Sequence, residues 1–458
     1  MKTVWRGWAF LMGAMAATFI LGLLAASIFQ RREEARQRPP LQKIGEWEVD
    51  SSKWGANYPR EYESAKKMAD STTRTKYGGA FPRDYLAETP ANVVLFAGYG
   101  FAKDYQQARG HVYSIEDVNH TKRTNDQTPA TCWTCKSPDV PRLMAKMGPE
   151  KFYATKFADL KTEITHPIGC LDCHEPNTMK LRVTRPALRE ALERQGRKLD
   201  DISHQEMRTL VCAQCHVEYY FKGKGNYLTF PWDKGTTPEK MEEYYDEAQF
   251  ADWTHAISKT KMVKMQHPDY EVYKTGVHAY RNIACADCHM PYRTEGGVKF
   301  TDHHVQSPLL NIANSCAVCH RWGEEEIRRR VEGIQDKVRE GRTLAETTLA
   351  QAHFDIAAAM QAGAKDEELA GVRKMVRGAQ LRWDYVAANN GMGFHAPQEC
   401  QRILSAAIDL AGRARVECAR VLAGHGVTKP VAYPDFSTKE KAQELNKQFV
   451  EGKPPRLI

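Results

Sequence analysis

The sequence predicts a mainly α-helical fold, and two features of the chain favour it. Residues 323–425 contain a single proline, and their apolar side chains recur at the i, i+3, i+4 spacing of a helix. Examples of this spacing are Ile327, Val331, Ile334 and Val338. No stretch of any length alternates polar and apolar residues as a strand does. We therefore expect three long helices here, interrupted near Gly363 and around 389–397.

The first 40 residues have the composition of an export segment followed by a linker. Lys2 and Arg6 precede an uncharged, mostly apolar run at 7–29, and the segment ends at Pro39 and Pro40. We expect residues 1–40 to be a signal peptide or an N-terminal membrane anchor with its linker. The rest of the chain should then lie in the periplasm.

The length of the apolar run leaves cleavage and retention open. A cleaved signal usually has an apolar core of about 7–15 residues, whereas a membrane-spanning helix needs about 20. The run is nearer the second length, but Ala25, Ala26 and Ser27 offer small residues for cleavage. A retained helix would associate the protein with the membrane. In either case, exported cysteines should be disulfide-bonded or otherwise occupied.

Ten of the twelve cysteines form five C-x-x-C pairs, and the residue after the second cysteine is the informative one. C-x-x-C-H is the attachment signature of c-type haem, in which two thioether bonds hold the porphyrin and the histidine ligates iron. Zinc would need a second pair or two histidines at ligand spacing, not a histidine at one fixed offset four times. In chain order the sites are site 1 (Cys132, Cys135, Lys136), site 2 (Cys170, Cys173, His174), site 3 (Cys212, Cys215, His216), site 4 (Cys285, Cys288, His289) and site 5 (Cys316, Cys319, His320).

These sites predict a multihaem c-type cytochrome with five covalently bound haem c groups. Four bis-histidine haems would need four distal histidines, and twelve other histidines can supply them. The large apolar faces of the porphyrins should form the core, leaving little room for a conventional one. We divide the chain into the segment 1–40, a pentahaem catalytic region at 41–322, and long helices with a tail at 323–458, the last two forming one domain.

Two cysteines, Cys400 and Cys418, lie outside the pairs on a predicted helix. Eighteen residues of helix at ~1.5 Å each separate them by about 27 Å, far beyond the ~7 Å between Cα atoms that a disulfide allows. Cys418 also lies on an apolar stripe of the helix, so we interpret both cysteines as buried structural residues.

The net charge and the distribution of basic residues indicate which partners to expect. The formal charge of +8 is a mild basic excess for 458 residues and favours small anions or an anionic membrane surface. No block of basic residues interleaved with aromatic ones occurs, so we do not expect nucleic-acid binding.

Site 1 differs because Lys136 stands where the other sites have histidine. Lysine ligates iron only as the neutral amine, although its reference pKa is ~10.4, so the metal must displace the proton. An electron carrier gains nothing obvious from this, whereas an enzyme can retune the iron and leave its other face open for substrate. In the alternative, Lys136 is exposed and this haem takes its ligand from elsewhere.

The chain resembles the pentahaem cytochrome c nitrite reductases, which form ammonia. The resemblance runs from about residue 50 to about 440. The segments that carry it are CWTCKSPDV, RGHVYSIEDVNHTKRT (109–124), CAQCHVEYYF (212–221), FPWDKG (230–235), SKTKMVKMQHPDYE (258–271), FTDHH (300–304) and LRWDYVAANNGMGFHAP (381–397).

The resemblance implies a ligand set. Lys136 would be the proximal ligand of the catalytic haem. The distal ligands would be His111 for site 3, His304 for site 2, His395 for site 4 and His278 for site 5. A slip of one residue would exchange His304 for its neighbour His303.

The resemblance also implies a pocket and a cation. Arg123, Tyr219 and His267 would stand over the open haem, as anion-binding fork, hydrogen-bonding phenol and proton donor. Taken singly, these residues have ordinary explanations as a surface arginine, a core tyrosine and a loop histidine. A calcium would be bound by the implied set Glu218, Gln266, Tyr219 and Lys264, the last two through their carbonyls.

The implied reaction is the six-electron reduction of nitrite to ammonium at site 1, with the other four haems relaying electrons. The implied donor is a membrane quinol-oxidising multihaem cytochrome. A homodimer through the helices of 323–458 is also implied. Two alternatives remain open from the sequence: a multihaem reductase acting mainly on hydroxylamine or sulfite, and a pure electron-transfer cytochrome.

Overall fold

The computed structural model describes residues 2–36 and 41–458. The N-terminal segment forms one helix, α1 (Lys2–Arg36). Its stretch Trp5–Glu33 is long and apolar enough to cross a membrane, and its most apolar part is not buried in the protein. An anchor and a signal sequence both fit this helix. The linker predicted at Pro39 and Pro40 lies outside the described residues.

Short helices follow up to residue 130. They are α2 (Ser51–Asn57), α3 (Pro59–Lys66), α4 (Tyr85–Glu88), α5 (Ala91–Leu95) and α6 (Ser114–His120). Aspartates begin two of them: Asp50 accepts a hydrogen bond from Ser52 N at 2.9 Å, and Asp84 accepts one from Leu86 N at 3.0 Å. Such caps satisfy amides that a helix start leaves free.

The cysteine pairs lie among further short helices and three hairpins. The helices are α7 (Asp139–Met147), α8 (Pro149–Ala154), α9 (Cys170–Cys173), α10 (Pro186–Arg194), α11 (His204–Ala213), α12 (Pro238–Glu247), α13 (Asp269–Lys274), α14 (Val277–Tyr280) and α15 (Cys285–His289). The strands are β1 (Tyr220–Lys222), β2 (Tyr227–Thr229), β3 (Trp253–Thr254), β4 (Lys261–Met262), β5 (Tyr292–Glu295) and β6 (Val298–Thr301), paired consecutively and antiparallel. The prediction of a mainly α fold is confirmed.

Three long helices follow, as predicted. They are α16 (Glu324–Gln361), α17 (Asp366–Ala387) and α18 (Pro397–Gly424). Gly363, at φ +95°, lies just beyond the end of α16, where a left-handed residue commonly stops a helix. Pro397 is the first residue of α18, a position that needs no amide donor. A further helix, α19 (Lys439–Val450), occupies what the sequence analysis treated as a tail.

The long helices form a conventional apolar core. They pack on one another, α16 also contacts α5, and α19 packs on α5. Phe96 and Trp383 are buried there with ring centroids 5.7 Å apart. Cys400 and Cys418 are fully buried in α18, as predicted. The expectation that the haem region would leave little room for such a core is wrong, because the helices of 324–424 supply one beside it.

A buried histidine pair joins this core to the loop between β3 and β4. His255 and His353 stack with ring centroids 3.7 Å apart, and neither is exposed. His353 Nε2 donates to Gln380 Oε1 at 2.8 Å, and the Gln380 amide is oriented by Leu95 O at 2.7 Å. His255 Nε2 donates to Val94 O at 2.9 Å. Ser258 N donates to His255 Nδ1 at 3.3 Å, so His255 is the neutral tautomer with its proton on Nε2, and burial lowers the pKa of both rings.

Acid should weaken this region. Burial lowers the pKa of His353 from 6.5 to about 4, so below pH 6.5 the unfolded chain binds a proton that the folded chain does not. One pKa unit corresponds to about 1.4 kcal/mol. The difference in pKa between the unfolded and the folded chain therefore lowers the free energy of unfolding by on the order of 3 kcal/mol as pH falls toward 4. The urea midpoint of wild type should fall from pH 7.5 to pH 5 more steeply than that of His353→Gln.

The exposed His425, the residue that follows α18, provides a matched control. It lies 3.0 Å from Glu368 at the surface, so His425→Gln should show the wild-type pH dependence. Parallel pH profiles for His353→Gln and wild type would contradict the assignment.

Candidate functional site

A continuous cavity of about 3080 Å³ is lined by all ten cysteines of the five pairs. Small-molecule pockets measure about 300–1,000 Å³, and close-packed interiors contain few voids larger than a water molecule. The wall therefore encloses room for several large groups. Every cysteine in the chain is free of a disulfide, so the ten thiols suit thioether attachment.

At sites 2, 3 and 5 the cysteine pair lies on one turn that brings the last residue of the site next to its first cysteine. The amides of His174, His216 and His320 donate to the carbonyls of Cys170, Cys212 and Cys316 at 3.0, 2.9 and 2.9 Å. Site 1 has a tighter turn, because the Lys136 amide donates to Trp133 O at 2.9 Å. Site 1 thus differs in its backbone as well as in its last side chain.

Three pairs of histidine rings face each other across the cavity. The ring centroids are 6.1 Å apart for His174 and His303, 6.2 Å for His289 and His395, and 6.3 Å for His278 and His320. Metal–imidazole bonds are about 2.0–2.1 Å, so imidazoles on opposite sides of one metal ion have ring centres about 6.2–6.4 Å apart. The facing rings fit bis-histidine haem ligation at sites 2, 4 and 5.

The residue that faces His174 is His303, so the expectation of His304 is corrected. His303 Nδ1 donates to Thr301 O at 2.7 Å, and its ring lines the cavity. The ring of His304 lies near Lys67 and Asp70 instead. Adjacent residues in extended chain point to opposite sides, so one of the two must point away from the cavity.

The remaining predicted pair is His111 with His216. Both line the cavity, and they lie close enough to interact electrostatically. Burial lowers the pKa of His111 to about 4, and charges on His216 and Lys136 act in the same direction. His111 is therefore neutral near pH 7, as a metal ligand must be.

The Nδ1 atoms of three proximal histidines have acceptors, which leaves Nε2 for a metal. His174 donates to Met179 O at 2.8 Å and His289 donates to Gln306 O at 2.9 Å. His216 instead faces a carboxylate oxygen of Asp269 at 3.1 Å. Burial lowers the pKa of both His174 and His289 to about 4, so these rings are neutral ligands.

Lys136 lines the cavity beside Cys132 and Cys135. Among the hydrogen bonds and ion pairs of residues 41–458, none involves its ammonium; Lys136 bonds only through its backbone, its amide donating to Trp133 O at 2.9 Å and its carbonyl accepting from Ser114 Oγ at 2.7 Å. Lys264, by contrast, is buried and pairs with Asp384 at 2.8 Å. An amine in a haem-sized cavity without a carboxylate partner fits a ligand to iron.

The structure brings Arg123, Tyr219 and His267 to the wall of this same cavity. The Arg123 guanidinium lies 4.3 Å from the centre of the Phe101 ring, and its Nε donates to Thr121 Oγ1 at 3.1 Å. Tyr219 and Arg123 both interact electrostatically with Cys132 of site 1. Burial lowers the pKa of His267, against the opposing effect of Asp269.

The residues expected to bind calcium lie together, and two of them, Tyr219 and Gln266, line the same cavity. Glu218 is fully buried; its Oε1 accepts from Tyr245 at 3.0 Å and its Oε2 from Gln266 N at 2.5 Å. Gln266 Nε2 is 3.3 Å from Lys264 O. Burial raises the pKa of Glu218 well above its usual range, so an adjacent cation would stabilise its charged form. This donor set, carboxylate, amide and carbonyl oxygens, suits calcium.

A buried ion pair that the sequence analysis missed holds sites 1, 2 and 3 together. Arg185 pairs with Asp172 of site 2 at 2.5 Å, and both side chains are almost fully buried. Arg185 Nε also donates to Thr134 O within site 1 at 2.9 Å. Gln214, between the cysteines of site 3, accepts from Arg185 N at 3.2 Å and donates to Asp172 O at 2.9 Å.

The sequence contained a signal for this arrangement. Sites 2 and 4 share the form C-x-D-C-H, and both aspartates pair with an arginine: Asp172 with Arg185, and Asp287 with Arg208. Two arginines that line the cavity, Arg208 and Arg342, each have one buried guanidinium nitrogen without an acceptor, Nη2 and Nε respectively. Haem propionates are anions that would satisfy them.

Five C-x-x-C pairs on one cavity wall, with histidine rings facing each other across it, define a multihaem c-type cytochrome. Residues 50–454 match the family model for cytochrome c552, and the chain belongs to this family. The cytochrome c-552 of Bacteroides fragilis is 52% identical over 452 residues, covering 96% of this chain and 91% of the relative. That of Parabacteroides distasonis is 51% identical over 449 residues, with the same coverage.

A solved structure shares the fold. The cytochrome c nitrite reductase catalytic subunit of Desulfovibrio desulfuricans, for which two calcium sites are described, superposes with a TM-score of 0.78 at 34% identity. The match covers 83% of this chain and 88% of that one. The long helices and the cavity therefore belong to an architecture known from an experimental structure.

Proposed function

We propose that the protein reduces nitrite to ammonium at a haem held by Cys132, Cys135 and Lys136. The observation that carries this proposal is the lysine at site 1, which lies without a carboxylate partner on the same wall as Arg123, Tyr219 and His267. The reaction is NO₂⁻ + 6 e⁻ + 8 H⁺ → NH₄⁺ + 2 H₂O. Family membership and the Desulfovibrio structure support it.

The pocket residues have roles that follow from their chemistry. Arg123 offers a fixed cationic fork for a small anion, and stacking on Phe101 restricts its guanidinium. His267 offers the pocket an imidazole, a group that takes up and releases protons, and burial lowers its pKa, which makes its charged form a better proton donor. Tyr219 donates a phenolic hydrogen bond. Because eight protons are consumed per nitrite, donors in contact with the substrate are required.

The bound haems would supply the electrons and the iron that takes up nitrite, with the four bis-histidine haems acting as a relay. Contacts between thiols of different sites support this. Cys135 of site 1 lies against Cys215 of site 3, and Cys212 of site 3 against Cys285 of site 4. Sites 2 and 5 join through Cys173 with Cys215 and Cys288 with Cys316, which interact electrostatically. The attachment points form one connected series.

In the proposed ligand set, the distal residues are His111, His278, His303 and His395.

Calcium bound by Glu218, Gln266 and the carbonyls of Tyr219 and Lys264 would order both catalytic segments. Protein prepared without chelator should contain calcium by metal analysis. Because such supporting groups are typically worth about 10–100-fold in activity, EGTA should lower nitrite turnover by that factor while the haem spectrum is retained. Added Ca²⁺, but not Mg²⁺, should restore turnover, since Mg²⁺ demands a tighter octahedral site.

A chelator-free preparation that lacks calcium would contradict this assignment. Glu218→Gln provides a second check, because it removes the one carboxylate of the set while keeping its shape. It should turn over like the EGTA-treated wild type and should not respond to added Ca²⁺.

The cellular setting is part of the same proposal. The region 41–458 would lie in the periplasm, with α1 as anchor or cleaved signal, and a membrane quinol-oxidising multihaem cytochrome would donate electrons. Two copies would pair through the helices of 323–458. We retain the division into 1–40, 41–322 and 323–458, with the last two as one domain.

The deciding experiment gives the purified, haem-loaded protein excess reduced viologen and nitrite, and compares ammonium formed with viologen oxidised. Six electrons per ammonium over many turnovers are expected. Absence of turnover in protein with five haems by mass would overturn the proposal. Turnover of hydroxylamine or sulfite alone would then indicate another substrate, and no turnover at all an electron carrier.

A further inference from the structure

We propose that Asp269 is a positioning residue that links site 3 to the substrate pocket. One buried carboxylate would hold and polarise the axial imidazole of site 3 and also set the position of His267. The inference deepens the proposed function and rests on it for the identity of the pocket. Its effect on site 3 does not depend on the substrate.

The geometry places Asp269 between the two histidines. Its Oδ2 lies 3.1 Å from His216 Nδ1 and 3.9 Å from His267 Nδ1. Asn390 Nδ2 completes the link, lying 2.8 Å from the same oxygen and 3.5 Å from His267 Nδ1. The two imidazole rings have centroids 5.9 Å apart and are nearly perpendicular, at 77°.

The other carboxylate oxygen fixes Asp269 itself. Asn389 Nδ2 donates to Oδ1 at 2.7 Å, and Asn390 N donates to it at 2.6 Å. These asparagines belong to the loop between α17 and α18 that also carries His395. In the part of the chain that the structure describes, no lysine or arginine lies within 4 Å of this carboxylate. Its charge is therefore directed at the two imidazoles and at neutral amides.

Site 3 is singled out by this contact. The corresponding Nδ1 atoms of sites 2 and 4 donate to the backbone carbonyls of Met179 and Gln306. A carboxylate acceptor makes an imidazole ligand more electron-rich than a carbonyl does. Electron density at the axial ligand favours the ferric state and lowers the reduction potential. Asp269 should thus lower the potential of site 3 relative to a carbonyl-bonded site.

A lower reduction potential at site 3 matters because of where site 3 lies. Arg185 donates to Thr134 O between the cysteines of site 1 at 2.9 Å and to Gln214 Oε1 between those of site 3 at 3.2 Å, so site 3 is a direct neighbour of the proposed catalytic haem. A lower potential there increases the driving force for transfer into site 1. The same carboxylate keeps His267 aimed at the pocket, so electron supply and proton donor share one support.

The test is Asp269→Asn in the haem-loaded protein, read by an EPR-monitored redox titration without nitrite. One low-spin haem should move to higher potential while the others stay in place. Asp269→Glu should restore the wild-type potential, because it returns the carboxylate. Asp355→Asn is the matched control, since Asp355 is a buried carboxylate that pairs with Arg415 and Tyr433 and does not line the cavity. Its haem potentials should be those of wild type.

Asn390→Ala separates the two roles of Asp269. It removes the bridge to His267 but leaves the contact between Asp269 and His216. The KM for nitrite or the pH profile of turnover should therefore change, while the reduction potential of site 3 should stay near the wild-type value. Unchanged potentials in Asp269→Asn with five haems present would overturn the inference. If Asp269→Asn fails to assemble, wild-type potentials and signals in Asp269→Glu support it, and a shift in several haems contradicts it. If Asp269→Asn shifts the site 3 potential but the wild-type protein does not turn over nitrite, this inference stands and the proposed function alone is overturned.

Discussion

Replacing Lys136 by histidine is expected to leave five haems attached and to lower nitrite turnover by more than about 100-fold. The substitution turns site 1 into the same signature as the other four sites, so attachment should proceed. It changes the iron's donor from an amine to an imidazole, and changes to groups that merely support a ligand already cost about 10–100-fold. Turnover is measured as ammonium formed per protein with reduced viologen, and haem number by mass.

The matched control is a lysine outside the cavity. Lys151 is exposed on α8, and Lys151→His should behave as wild type in both measurements. Full turnover in Lys136→His with five haems attached would show that the lysine has no part in catalysis. Nitrite would then be reduced without a lysine donor, and the proposed role of Lys136 as the ligand of the catalytic iron would be overturned.

Replacing Arg123 by glutamine should lower kcat/KM for nitrite by about 10²–10³, the usual effect of removing one preorganised charge-stabilising donor. Glutamine keeps a hydrogen-bond donor but removes the cation that binds the anion. Arg123→Lys should be intermediate, because it restores the charge without the planar fork. The measurement is steady-state viologen oxidation over a range of nitrite concentrations.

A second stacked arginine gives the control for this substitution. Arg74 lies 5.2 Å from the centre of the Phe81 ring, and it does not line the cavity. Arg74→Gln should therefore leave kcat/KM unchanged. Equal kinetics for the two glutamine variants would remove Arg123 from the site.

The long helices could be predicted because their apolar spacing is local information. The i, i+3, i+4 pattern that begins at Ile327, the glycine at 363 and the proline at 397 mark the ends that the structure shows. The last helix, α19, was missed: its buried residues Ala442, Leu445 and Phe449 form a short stripe within a polar segment. Its stability depends on packing against α5, which no local pattern reveals.

In the candidate site, too, features encoded locally could be predicted and features that depend on tertiary packing could not. The cysteine turns are encoded within five consecutive residues, so all five were found. Choosing between His303 and His304 required knowing which side of an extended segment faces the cavity, and this depends on tertiary packing. The contact between Asp269 and Asn389 joins residues 120 positions apart, and no spacing along the chain predicts such a bond.

The contacts between thiols of different sites have a consequence for how the protein is made. Cys135 lies against Cys215, and Cys212 against Cys285. In an oxidising compartment, neighbouring thiols form disulfides, and a bond between two sites would block both. During biogenesis, haem attachment therefore competes with disulfide formation. The chain must reach the haem-attachment enzymes with its thiols reduced and before it has folded. The short distances between sites that would let electrons pass between haems in the finished protein also require that haem attachment precede folding.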